Sequence, residues 1–354
     1  MTQKIAIVGG GLAGLYAAYR LLGLGIEFDL FEARDRLGGR ILATETGGFD
    51  LGPTWFWPDF QPRMQKLVAD MALPIFEQYE EGHALVERWN TDLVRQDGYR
   101  SGNVSMRIEG GISSLVEALA SLLPESSIHL NAVLKNATQE GQRIRLTLTE
   151  KKLLISSYSA IWLAIPPRFA GQISFTPALP QDLVREMSCV STWMASQAKY
   201  VARYASPFWR EQGLSGAAFS GIGPLGEVHD ASNSSGAALF GFLSLNAERR
   251  RGMKDDDLKA ICREQLSRLF GEAASIPLED FIYDWAADPF TASEYDQVSL
   301  GGHGRYDLSQ SPTSLWHEKL HLIGSEAGGD QAGYMEGALS AVENAIAHLN
   351  ERQA

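Results

Sequence analysis

Three glycines at Gly9, Gly11 and Gly14 give the spacing GxGxxG, and an acid, Glu32, stands further along. In such a pattern the first glycine permits a tight turn and the second lets backbone approach a pyrophosphate. The third lets a helix pack on a strand, and the acid can accept hydrogen bonds from a ribose. The chemistry is dinucleotide binding; the competing reading is a tight turn in an unrelated α/β domain with an exposed Glu32. The run Glu32–Arg40 then sets Gly38 and Gly39 beside Arg34, Arg36 and Arg40, which suits a second close approach to phosphate or to a flat ring system. Arg36 itself reads as a solvated charge. Lys199 sits in the apolar-leaning run 197–201, a costly place for a lysine unless it faces a polar site. The alternative is a strand-edge lysine turned to solvent. No nucleophile–base–acid triad is apparent. His303 and His321 read as structural, and the histidines show no metal-ligand spacing.

These residues need elements to hold them. Residues 4–8 read as a buried strand, 12–24 as a helix and 26–31 as a second strand, which makes one βαβ unit around the glycines. Pro62 opens a helix over 61–72, with Met64, Leu67, Val68 and Met71 on one face. Residues 84–99 predict a hairpin or meander turning at Asp97-Gly98. A helix is expected at 111–123, and strands at 128–134, 143–149, 152–156, 160–165, 197–204 and 237–245. A helix over 255–270 begins with three aspartates, which suit its dipole. A last strand at 320–323 precedes a last helix at 334–349.

The chain has 354 residues, enough for two domains. Its net charge of -12 argues against a nucleic-acid partner, which would want clustered Lys and Arg. Two cysteines, Cys189 and Cys262, lie far apart and give neither a disulfide framework nor a metal site. The N-terminus runs straight into a strand, and no apolar run reaches the roughly 20 residues of a membrane span. The expectation is a cytoplasmic protein with no metal and no membrane partner.

The run Glu32–Arg40 closely resembles the FAD signature of the flavin-dependent amine oxidases, the monoamine and polyamine oxidases and their relatives. The resemblance extends along the chain: Asp50-Leu51-Gly52, Leu130–Val133, Ala164–Pro167, Pro207–Arg210, Ile323–Glu326 and Gly333–Ala338 all match family segments. It implies an α/β fold, a Rossmann-like FAD-binding domain with a second α+β substrate domain whose mixed sheet is flanked by helices. The FAD-binding domain is expected to be discontinuous, 1–74, 107–188 and 286–354, with 75–106 and 189–285 forming the substrate domain.

The same resemblance assigns roles. Glu32 would bind the adenosine ribose and Arg34 the pyrophosphate, with Gly39 and Arg40 beside pyrophosphate and flavin. Gly52 would contact flavin, although Pro53 replaces a usual second glycine and removes a backbone donor. Val133 would reach the adenine through its backbone, and Trp285 would pack at the flavin. Glu326 and Met335 belong to the C-terminal cofactor segment, where a helix N-terminus suits the negative charge of a reduced flavin. Lys199 would hold a water at the flavin. Tyr295 and Tyr334 would pair as an aromatic cage, and Trp55 would line the substrate cavity or else serve as core. The implied activity is oxidation of a neutral amine to an imine, hydrolysed to an aldehyde, with O2 giving hydrogen peroxide. The FAD would be non-covalent, because Glu294 stands where some relatives carry the attaching cysteine. A short segment between Trp55 and Met106 implies a shortened lid and a wider cavity, closed if at all by a second copy in a homodimer. Two alternatives stay open: an FAD-dependent desaturase or isomerase of an apolar substrate, and a non-catalytic FAD-binding module.

Overall fold

Alternating strands and helices at the N-terminus dictate the first layer. The structure, a computed structural model, describes residues 3–97, 102–149, 157–298, 316 and 319–351. The strand Lys4–Val8, the helix Leu12–Gly23 and the strand Glu27–Phe31 form the expected βαβ unit. Lys4–Val8 is central in a five-stranded sheet whose order is Leu320–Leu322, Ala160–Leu163, Lys4–Val8, Glu27–Phe31, Ile128–His129, every pair parallel. Parallel strands are buried on both faces, and Ile5, Ile7, Ile161 and Trp162 are fully buried. One face carries the helices Leu12–Gly23, Pro62–Asp70, Ser113–Ser121 and Met335–Glu351. The other packs on a four-stranded sheet built from Leu134–Glu140, Arg143–Leu148, Ser157–Tyr158 and Ser174–Thr176.

A seven-stranded mixed sheet makes the second unit. Its order is Glu279–Asp284, Ala198–Tyr204, Ala237–Leu243, Leu225–Asp230, Leu214–Ser220, His83–Glu87, Val94–Gln96. Only the pair Leu214–Ser220 and His83–Glu87 runs parallel. Strand parity decides what each face does. Ala198, Tyr200, Ala202 and Tyr204 join Trp209 and the helix Asp255–Phe270 in one core, whereas Val201 packs with Phe49, Leu51 and Phe240 on the opposite face. Lys199 shares the parity of Val201 and so faces away from the helix.

Three sequence expectations shift. The hairpin forms, but its strands end and begin around residues 88–93, where Asn90 adopts a left-handed φ of 61°; Gly98 lies outside the described residues. The single strand expected at 128–134 is two, belonging to different sheets. Asn131, also left-handed at φ 56°, breaks the run between them. Strands at Leu214–Ser220 and Leu225–Asp230 were hidden by their glycines; Gly216 has φ 80°, and a Cβ there would come 2.9 Å from Asp230 Cβ. The strand expected at 152–156 and His303 lie outside the described residues. Among the described residues no helix is long and apolar enough to cross a membrane.

Candidate active site

A cavity of about 710 Å³ is lined by the carboxyl ends of the five-stranded sheet and by the open face of the seven-stranded one. Its first wall is the glycine turn. Gly9 has φ 107°, and a Cβ on it would meet Ala164 O at 2.5 Å; one on Gly14 would meet Gly9 O at 1.9 Å. Those two glycines answer to the protein's own packing. Gly11 does not: its φ of -75° suits any residue, and the nearest protein atom to a Cβ there is 3.8 Å away. Gly11 lines the cavity, so the space beside it is reserved for something other than the chain. This is the observation by which the cradle fits a dinucleotide. Glu32 is 3% exposed, and its carboxylate accepts from Gly10 N at 2.6 Å and from Arg34 N at 2.8 Å. Those bonds fix both oxygens and leave lone pairs for a ribose.

Gly39, at φ 58°, brings its own would-be Cβ 3.1 Å from Gly11 Cα, so the second glycine turn lies directly against the first. Arg40 donates to Ser325 Oγ at 2.8 Å, Glu326 Oε1 at 3.0 Å and Trp193 O at 3.2 Å, which ties this turn to the C-terminal segment. Glu326 is buried. A Cβ on Gly52 would fall 2.1 Å from Arg40 O. Arg36 is not a solvated charge: it donates to Leu37 O, Gly39 O and Ile41 O and braces the loop. Arg34, Val133 and Met335 line the same cavity, Met335 as the first residue of the last helix.

The second wall is made of side chains. Lys199 is 2% exposed. Its Nζ donates to Gly52 O at 3.0 Å and to Thr54 Oγ1, and it lies 4.0 Å from the ring centroid of Phe240. Burial pushes its pKa down to about 7, against the pull of Asp50 and with the repulsion of Arg107. Burial likewise pushes Asp50 up to about 6, against the attraction of Lys199 and Arg107. Trp55 lines the cavity and donates to Gln78 Oε1 at 2.7 Å. Trp285 donates to Leu51 O at 3.0 Å and stands 4.4 Å from the Tyr283 ring. Tyr334 meets Trp57 edge to face at 6.2 Å.

Tyr295 is the exception and a correction. It is 71% exposed, does not line the cavity and does not face Tyr334. The reason is the turn that carries it. Ser293 and Asp296 form a capping box, and buried Asp296 also binds Arg168 and Thr192 N, which draws position 296 inward and turns position 295 out. Trp57 stands at the ring of Tyr334 instead.

The sequence reading also missed Glu336 and Glu227. Glu336, fully buried, accepts from Arg63 N at 3.2 Å and Met64 N at 2.8 Å. It thereby caps the helix Pro62–Asp70 from the last helix, satisfying amides that no intrahelical partner reaches. A buried glutamate beside a helix of its own gives no local signal of this. Glu227 lines the cavity. Its register partner Phe242 is also that of Lys199, which sets all three on one sheet face. His229 Nε2 lies 2.6 Å from Glu227 Oε1.

A sequence model of the family described as flavin containing amine oxidoreductase matches residues 75–345, and one for an NAD(P)-binding Rossmann-like domain matches 7–71. The chain is 24% identical to a probable flavin-containing monoamine oxidase A of Dictyostelium discoideum, over 95% of this chain and 94% of that protein. It is 23% identical to the putrescine oxidase of Kocuria rosea over 87% of each. A solved structure of wild-type putrescine oxidase bound to putrescine superposes with a TM-score of 0.83 at 21% identity, covering 99% of this chain and 100% of that one.

Proposed function

The chain belongs to the flavin-containing amine oxidoreductases, and on that premise we propose that it oxidises a small, neutral amine held against Lys199, with O2 as final acceptor. It is an FAD-dependent enzyme with a Rossmann-like cofactor domain. Residues 1–74, 107–188 and 286–354 form the part that holds FAD, and 75–106 with 189–285 the part that faces substrate. Bound FAD would supply a two-electron acceptor: the amine would give up two electrons and two protons to become an imine, which water would convert to an aldehyde and an amine or ammonia, and O2 would receive two electrons and two protons as hydrogen peroxide.

The chain's residues supply placement and electrostatics. Gly9, Gly11 and Gly14 shape the pyrophosphate cradle, Glu32 holds the ribose, and Gly39, Arg40, Gly52, Val133, Trp285, Glu326 and Met335 border the rest of the cofactor. Tyr334 and Trp57 offer ring faces and edges to the substrate's apolar body, and Trp55 closes the wall beside them. Lys199 places a proton donor and a titratable positive charge between the two walls. Glu227 can draw a cationic amine into the cavity or meet a second amino group at its far end. Retention of FAD is non-covalent, supported by the absence of any cysteine from the cavity lining; Cys262 is buried in the core on the other side of the sheet. A cytoplasmic location is supported by the two free cysteines, and a homodimer by the apolar surface at Trp89, Leu93 and Val94.

The carrying observation is that one cavity joins a glycine cradle to an aromatic wall containing a buried lysine. The experiment is anaerobic mixing of the FAD-loaded enzyme with a panel of monoamines, diamines and amino acids, followed at the flavin's visible band. Bleaching by at least one amine, and recovery of colour with peroxide on admitting O2, is expected. An enzyme that keeps its FAD yet bleaches with no amine overturns the reading.

A further inference from the structure

Arg34 occupies the position expected to serve a pyrophosphate, yet its guanidinium is already engaged. Nη2 donates to Asp288 Oδ1 at 2.6 Å while Nε donates to Oδ2 at 3.4 Å, a two-pronged pair. Nη2 also donates to Thr291 Oγ1 at 3.0 Å. The guanidinium carbon lies 5.4 Å from the Phe290 ring centroid, and Nη1 lies 3.5 Å from Glu32 Oε1. The side chains of Arg34 and Asp288 are 12% and 6% exposed. Charge-assisted, two-pronged pairs are the stronger kind, and removing one partner from a nearly buried pair is costly.

Asp288 comes from the opposite wall. It follows the single 3-10 turn Trp285–Ala287 that ends the strand Glu279–Asp284. Its carboxylate accepts from the Tyr283 hydroxyl at 2.9 Å and from Phe290 N at 2.9 Å. Tyr283 is the register partner of Lys199. The segment 285–291 therefore leads from the substrate sheet to the rim of the glycine cradle, where Arg34 pins it. Pro289, Phe290 and Thr291 line the cavity. Burial opposes the charge on Asp288, but the hydrogen bonds and charge of Arg34, together with the hydrogen bonds from Phe290 N and the Tyr283 hydroxyl, outweigh it and hold the carboxyl below its ordinary range.

We propose that the Arg34–Asp288 pair is a clasp that retains FAD, pinning the strap 285–291 across the cofactor's cradle. Arg34 acts chiefly as the cradle's half of the clasp, and Asp288 and Thr291 are positioning residues for cofactor retention. FAD leaves only when the strap lifts, so loosening the clasp speeds release. The proposal rests on FAD occupying the cradle.

The test measures FAD release from the holoenzyme, as the activity gained by an excess of an apoflavoenzyme trap that takes up each FAD set free. Apoprotein melting temperatures are recorded alongside. Asp288→Asn keeps the shape and removes the charge, and release is expected to quicken about tenfold or more. Tyr283→Phe removes one hydrogen bond from the same carboxylate and should quicken release about two- to fivefold. Release within twofold of wild type in both variants overturns the clasp. So does tighter FAD binding in Asp288→Asn, the sign expected if Asp288 only competes with a pyrophosphate for Arg34. Should Asp288→Asn fail to fold, Tyr283→Phe decides by the same criterion. A wild-type protein that binds no FAD overturns the cofactor reading and the clasp with it, whereas normal retention in the variants overturns the clasp alone.

Discussion

The cofactor wall of the cavity is made largely of backbone, whereas the substrate wall is made of side chains that meet from distant parts of the chain. On the first wall, Gly9, Gly14 and Gly39 stand where a Cβ would strike a main-chain atom at 3.1 Å or less. Strands from separate segments close on them in fixed parallel register. On the second, Lys199, Trp55 and Tyr334 come from three separate stretches. They are placed by strand parity, by the hydrogen bonds of Lys199 to Gly52 and Thr54, by that of Trp55 to Gln78 and by the edge contact of Tyr334 with Trp57. Backbone requirements select one residue type and so leave a local mark; side-chain walls admit many solutions. The first wall should therefore fail as a unit when altered, and the second by degrees.

The glycine turn gives the largest expected effect and splits it in two. Gly14→Ala forces a Cβ to 1.9 Å from Gly9 O, which no side-chain adjustment relieves. Loss of the folded protein is expected, read as insoluble or molten product by circular dichroism. Gly11→Ala adds the same atom where no protein atom lies closer than 3.8 Å. The apoprotein should melt within about 1 °C of wild type, since the added methyl clashes with no neighbour. FAD affinity should nevertheless drop about tenfold or more, because the methyl stands in the approach to the pyrophosphate. Equal FAD affinity in Gly11→Ala and wild type would mean that the space beside Gly11 is not the cofactor's.

This division also explains what could be read from the sequence. The βαβ unit, the glycine turn, Glu32 and the last helix were legible because each rests on local geometry: a period, a forbidden Cβ, a helix N-terminus. Lys199 was legible for a different reason, a lysine in an apolar strand, and parity does turn it to the cavity. The rest was not, because it depends on long-range pairing. The strands at Leu214–Ser220 and Leu225–Asp230 carry glycines that break the alternation a strand should show. Glu336 caps a helix that ends well before its own begins. Glu227 faces the cavity only through its pairing with Phe242. Tyr295 was expected from its match to the family's paired tyrosines, and the capping box between Ser293 and Asp296 turns position 295 outward.

Lys199 gives the next effect. Its Nζ is held by Gly52 O and Thr54 Oγ1, and with its charge it can stabilise the negative charge that develops as O2 is reduced in a dry site. Lys199→Met should slow reoxidation by O2 about 10²–10³-fold and slow reduction by amine far less. The charge is lost as pH rises, because burial has brought the pKa down to about 7. The gap between the two proteins should accordingly be widest near pH 6 and narrow toward about pH 9, with the midpoint shared between Lys199 and Asp50. Stopped-flow measurement of both half-reactions across that range checks it. Equal reoxidation rates at low pH would remove the role assigned to the lysine.

The smallest expected effect tests the correction to the aromatic pair. Tyr295 is 71% exposed and its ring lies 5.9 Å from the Arg168 guanidinium carbon, a surface arrangement of the kind worth about 0.5–1 kcal/mol. Tyr334 lines the cavity against Trp57, and burial raises its hydroxyl pKa. Tyr295→Ala should leave kcat/KM for the best amine within about twofold, since exposed side chains away from a site usually change little. Tyr334→Ala removes a ring from the substrate wall and should lower kcat/KM about tenfold or more, at the scale of a lost aromatic contact. Both variants are compared on the same amine by steady-state peroxide release, with bound FAD quantified first so that cofactor loss is not counted as lost catalysis. A Tyr295→Ala enzyme as impaired as Tyr334→Ala would show that position 295 turns inward when FAD and substrate are bound. The substrate wall would then include the segment after Ser293, and the side-chain wall would be larger than its resting geometry shows.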